Sequence, residues 1–275
     1  MEHSKDPLHN TLLTLAFAVF IGSIIIAGAF YYGTYNLGQI IKDTKNTPTM
    51  AVAAGDTKPV QVAEATQDTS LPNIGASLIV KKELKPTGTS PDTNGLPMLG
   101  KADAKVSLVV FSDYECPFCN KFYMETMSEL KKEYIDTGKV KFIFKNFPLY
   151  TIHKKAIPAA MAAKCAGDQG KYYEMHDALF DNFATWTRAV PLKNSFLQLA
   201  DKIGLDKKSF ESCIASEKFK PELEKEYTEG YYLGVRGTPT TYINGKAVTD
   251  EDGNSLGALP YEMLKERIDL ALAGK

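Results

Sequence analysis

The stretch "DYECPFCNKF", residues 113–122, holds two cysteines three positions apart, Cys116 and Cys119, with Pro117 and Phe118 between them. Just upstream, "VSLVVF" (106–111) is a short apolar, β-branched run of the kind that forms a buried strand. Downstream, Phe122, Thr126, Leu130 and Tyr134 recur every four residues, which predicts a helix from about Cys116 to Tyr134. Gly138 marks its end. "KVKFIFKNF" (139–147) then places Val140, Phe142 and Phe144 on one face, as a strand does. The cysteines therefore stand at the helix entrance of a strand–helix–strand unit.

Two cysteines at i and i+3 share a helix face and lie within disulfide reach. They are not equivalent. Cys116 sits where unpaired N–H groups and the helix dipole favour a thiolate, so it is expected to attack or be attacked. Cys119, one turn inside, is expected to resolve the mixed disulfide. Pro117 suits the first turn because its missing N–H has no partner there. Phe118 adds apolar surface beside the sulfur. A zinc site would need about four ligands, and the other cysteines, Cys165 and Cys213, stand singly on separate helices. A purely structural Cys116–Cys119 bond would close a tiny loop and stabilise little.

The rest of the chain frames this unit. Residues 11–41 contain no charged side chain, and a helix needs about 20 apolar residues to cross a bilayer. Residues 11–35 are expected to form a transmembrane signal anchor behind a short tail (1–10), with cleavage after "AGA" (27–29) as the rival reading. Residues 36–95, without an aromatic side chain beyond residue 41, read as a flexible linker. The region 151–234 is helical in pattern throughout. His153, His176 and Trp186 are expected to pack between helices. The lysines of 131–145 read as a solvated face, and Lys154 and Lys155 have no evident role. Asn244-Gly245 is a two-residue hairpin signal between two strands, and a last helix starts near Pro260. A net charge of −1 offers no global field for nucleic acid.

"VVFSDYECPFC", "AAMAAKCAGDQGKYYEMHDALF" and "GVRGTPTTYING" in this order resemble the DsbA-like branch of the thioredoxin superfamily. The likeness covers about residues 96–275. It implies an α/β thioredoxin fold with an inserted helical domain at about 151–234, here preceded by the transmembrane helix and linker. It also implies a cis peptide between Thr238 and Pro239 facing Cys116, in a loop that meets the substrate backbone, with Thr238 adjusting redox strength. The well-studied strong oxidant of the family has His where this chain has Phe118. A potential between thioredoxin (about −270 mV) and DsbA (about −120 mV) is expected. Some DsbA-like proteins carry a second disulfide in the helical block, which implies a structural bond between Cys165 and Cys213.

The expected activity is thiol–disulfide exchange without a cofactor or metal, donating the Cys116–Cys119 disulfide to exported proteins with free thiols. The catalytic domain would lie on the extracytoplasmic side of the membrane. The resemblance implies a membrane reoxidising partner of the DsbB or vitamin-K-epoxide-reductase type. A reductase or isomerase on the same fold, and a non-catalytic anchored binding domain, are the alternatives.

Overall fold

In the computed structural model, residues 80–86 and 88–275 are described. The expected anchor at 11–35 and most of the expected linker lie outside them. Among the described residues, no helix is long and apolar enough to cross a membrane.

Strand β1 (Val106–Ser112) leads into helix α1. This helix starts as Pro117–Phe122 and continues through a π-helical segment Tyr123–Met127, a turn Ser128–Leu130 and a second π segment Lys131–Ile135. Strand β2 (Val140–Asn146) follows and pairs parallel to β1, Val106 opposite Val140 and Ser112 opposite Asn146. A helical block comes next: α2 (Ala156–Gly167), α3 (Tyr172–Asp181), α4 (Phe183–Trp186), α5 (Leu192–Lys202), α6 (Lys207–Ser216) and α7 (Lys220–Tyr232). The chain then returns to the sheet as β3 (Thr240–Ile243), antiparallel to β1, and β4 (Lys246–Ala247), before the final helix α8 (Tyr261–Leu272). The sheet order is β2-β1-β3-β4. The hairpin turns on Asn244 and Gly245, both with positive φ (48° and 80°), the backbone that the Asn-Gly pair accommodates.

β1 is buried on both faces because its side chains alternate between two cores. Val106, Leu108 and Val110 join α1, α8 and the helical block in the larger core. Val109 and Phe111 face the smaller one with Ile143, Phe147, Val235 and Tyr242. Gly230 of α7 admits this second layer: a Cβ there would lie 2.6 Å from the Phe147 ring and 3.1 Å from that of Phe111.

Two expectations need correction. Attachment to the fold begins before residue 96. Lys81 pairs with Glu224 at 2.5 Å, its N–H donates to Thr228 Oγ1, and the Asp92 N–H donates to Glu229 Oε1 at 2.5 Å. Nor is Lys145 solvated. Its ammonium is buried, donating to Asp92 O at 2.6 Å and paired with Glu229. Alternation along β2 turns it inward, and a buried ammonium requires a carboxylate.

Candidate active site

Cys116 ends the link after β1 and caps α1 with extended backbone (φ −77°, ψ 123°), and Pro117 takes the first helical position. The Cys116 N–H donates to Asp113 O (3.1 Å), and its carbonyl accepts from Asn120 N–H (3.0 Å). Both cysteines are free thiols, 3% and 1% exposed, whereas Phe118 between them stands 65% exposed. The Cys116 thiol donates to Thr238 O at 3.5 Å, and the Thr238–Pro239 peptide is cis. The Thr238 hydroxyl is buried beside the two thiols.

These surroundings split the two thiols. Hydrogen bonding from Cys119, then from Thr238 and the first helical N–H groups, outweighs burial and lowers Cys116 to about 6. Burial first, and its bond to Cys116 second, push Cys119 well above the ordinary thiol value, even though the Asp113 N–H points at its sulfur (3.4 Å). These surroundings favour the thiolate at the outer sulfur and the thiol at the inner one.

A ring of polar contacts holds the link between β1 and α1. Asp113, whose side chain is fully buried, accepts at Oδ1 from Glu115 N–H (2.7 Å). At Oδ2 it accepts from Leu149 N–H (2.7 Å) and from His153 Nδ1 (2.7 Å). Glu115 Oε2 accepts from Lys155 N–H (2.5 Å), and burial raises the Glu115 carboxyl. The Lys155 ammonium donates to Thr187 O and Ala189 O. His153 and Lys155 thus belong to the site rather than to helix packing or solvent. They are 40 residues from Asp113 and Glu115, and no sequence spacing reveals such a contact.

Beneath the pair lies an aromatic floor. His176 is buried among Tyr114, Phe144 and Phe180, its Nδ1 3.1 Å from Tyr114 Oη, and desolvation lowers it to about 3. Trp186 is buried in the helical block and donates to Leu179 O. Cys165 of α2 and Cys213 of α6 are joined by a disulfide (Cα–Cα 5.8 Å), both buried. Among the described residues no group of three or more His, Cys, Asp or Glu side chains is arranged to hold a metal ion.

A sheet with parallel and antiparallel partners on β1, a cysteine pair at the entrance of α1 and a cis-proline loop opposite it can be set beside known proteins. The family profile described as "Thioredoxin" matches residues 92–268. The chain belongs to the thioredoxin family. Within this family it is similar to Disulfide bond formation protein D of Bacillus subtilis, 28% identical over 189 residues that span 67% of this chain and 81% of the relative. Probable disulfide bond formation protein D of Bacillus anthracis is 30% identical over 178 residues, 63% of this chain and 77% of the relative. The crystal structure of oxidised BdbD from Bacillus subtilis superposes with a TM-score of 0.58 at 28% identity, covering 67% of this chain and 97% of that one. Wolbachia pipientis α-DsbA1, at 23% identity and a TM-score of 0.56, covering 67% of this chain and 94% of that one, shares the fold. This thioredoxin-family chain is a protein thiol–disulfide oxidoreductase.

Proposed function

We propose that the protein donates the Cys116–Cys119 disulfide to exported proteins. The observation that carries this reading is the asymmetry of the pair: Cys116 caps α1 against Thr238, while Cys119 is sealed beneath it. In the oxidised enzyme, a substrate thiolate attacks Cys116 Sγ. The Cys116–Cys119 bond breaks, and Cys119 leaves with the electron pair and takes up a proton, as its raised pKa favours. The substrate's second thiolate then attacks the substrate sulfur of the mixed disulfide. The substrate disulfide forms and Cys116 departs as a thiolate, stabilised by the groups that lower its pKa. The enzyme gains two electrons and the substrate loses two. Of the two protons lost by the substrate thiols, one ends on Cys119, and above about pH 6 the other goes to solvent.

Thr238 serves as the donor to that departing thiolate, and the Thr238–Pro239 loop as the wall along which the substrate backbone lies. Pro117 and Phe118 shape the approach, with Phe118 offering an apolar contact. The Cys165–Cys213 bond stays outside turnover. The charge-free apolar stretch at 11–35 supports single-pass anchoring, with the catalytic domain on the extracytoplasmic side. A membrane reoxidising partner of the DsbB or vitamin-K-epoxide-reductase type would restore the disulfide.

Trapping tests the reading. A Cys119→Ala variant should accumulate mixed disulfides on Cys116 with reduced, unfolded exported proteins, and adding Cys116→Ser should abolish them. Equilibration with glutathione gives the direction: a potential near that of thioredoxin would favour the reductase alternative, and no trapped species at all would remove the enzymatic role of the pair.

A further inference from the structure

Phe118 cannot supply a positive charge between the cysteines, yet two carboxylates stand beside them. Asp113 lies three residues before Cys116 and its carboxylate is fully buried. It receives three N–H donors, from Glu115, Leu149 and the His153 ring, the surroundings of a charged acceptor. Its own N–H contacts Cys119 Sγ, and its carbonyl receives the Cys116 N–H. Glu115 is the residue next to Cys116. An unbalanced negative charge here would oppose a thiolate at Cys116.

The balancing group comes from the segment between β2 and α2. His153 places Nδ1 2.7 Å from Asp113 Oδ2, and its side chain keeps 17% exposure, enough for exchange of the second ring proton with water. We propose that His153, clamped on Asp113, is the cation that offsets the carboxylates beside Cys116 and thereby sets the oxidising strength of the pair. This rests on the reading that Cys116 is the exchanging thiol. His153 is a positioning residue that acts through charge and through Asp113, and does not touch the substrate. The ionisable groups facing it are Asp113, Glu115 and Cys116. Lys155, its near neighbour, has its ammonium turned to the carbonyls of Thr187 and Ala189, and its charge acts on Glu115 after that of His153. The hydrogen bond to Asp113, opposed by burial and then aided by the Asp113 and Cys116 charges, raises the His153 pKa. That direction favours the cation and fits the role.

The test uses His153→Gln, which keeps a hydrogen-bond donor without charge, and His153→Lys, which restores charge without the ring. In His153→Gln the Cys116 midpoint, followed by thiolate ultraviolet absorbance, should rise by about one unit. The equilibrium constant for oxidising reduced glutathione should fall about tenfold, which corresponds to about 30 mV. His153→Lys should recover most of both. A second measurement needs no variant. By reciprocity of coupled sites, the His153 imidazole, followed by NMR in the unmodified protein, should titrate about one unit higher in the dithiol than in the disulfide form. Equal imidazole midpoints in the two forms, or an unmoved Cys116 midpoint in His153→Gln, would overturn the proposal, as would a shift that His153→Lys leaves uncorrected. A Cys116 midpoint near the ordinary thiol value in the unmodified protein would instead undermine the proposed function itself.

Discussion

Replacing both Cys165 and Cys213 by alanine should lower stability severely and leave exchange chemistry intact. The bond joins α2 to α6 across a separation of 48 residues. In the chain-entropy description a loop of that length restrains the unfolded chain by about 4 kcal/mol. For a folded region of this size, about 2–4 °C of melting temperature accompany each kcal/mol, so the expected fall is roughly 8–16 °C. Alanine is the better replacement, because Cys165 is fully buried and a serine hydroxyl there would need a new partner. Neither sulfur touches Cys116 or Cys119, which belong to the α1 entrance. Thermal unfolding of the oxidised proteins by circular dichroism, with turnover of a reduced peptide measured well below both midpoints, separates the two effects. A fall under about 2 °C would refute the loop-restraint reasoning. Turnover lost from a fully folded variant would show that the bond takes part in exchange.

The depressed Cys116 pKa has a signature in stability. It lies at about 6 in the folded dithiol form and about 8.5 in an unfolded chain. The stabilisation it gives is therefore complete near pH 8.5 and lost as pH falls through 6, about 3 kcal/mol across that window. The disulfide form has no such contribution, so the melting temperature of the reduced protein should climb relative to the oxidised one between pH 6 and 8.5; a constant difference would contradict the assignment. Glu229→Gln should cost about 3–5 kcal/mol in urea unfolding, since it leaves the buried Lys145 ammonium without a counter-charge. Adding Lys145→Met should recover part of that loss, and a loss below about 1 kcal/mol would mean that water reaches the pair.

Local pattern carried much of the architecture. The apolar run of β1, the four-residue recurrence in α1 and the Asn-Gly turn each reflect short-range physics, and each element lies where that physics puts it. That Cys116 caps the helix and Cys119 lies inside it was equally legible, but the largest influence on Cys116, its hydrogen bond with Cys119, and the one from Thr238 are tertiary details that helix position alone does not supply. The partner of Cys165 and the conformation at Pro239 were implied only by resemblance, since neither follows from spacing. Polar contacts distant in sequence left no trace. His153 and Lys155 resembled ordinary helix-flanking residues, yet they close on Asp113 and Glu115. Lys145 sits among lysines that face solvent, and only its position on a strand buried on both faces turns it inward. Residues 80–95 lack the aromatic content of a core, so composition placed them outside the fold. The described residues among them are held by hydrogen bonds and ion pairs instead of apolar burial.

That polar seam defines where a mechanical load enters the molecule. Glu224, Thr228 and Glu229, which hold Lys81 and Asp92, all lie on α7. Six residues after α7 ends, the chain reaches Thr238. Tension applied to the chain ahead of Lys81 is borne first by contacts on that helix. The β1–α1 junction bearing the thiols shares none of those contacts. The helix that carries the first of that load is also the one leading into the loop opposite Cys116, while Asp92, further along the chain, is tied as well to Lys145 of β2.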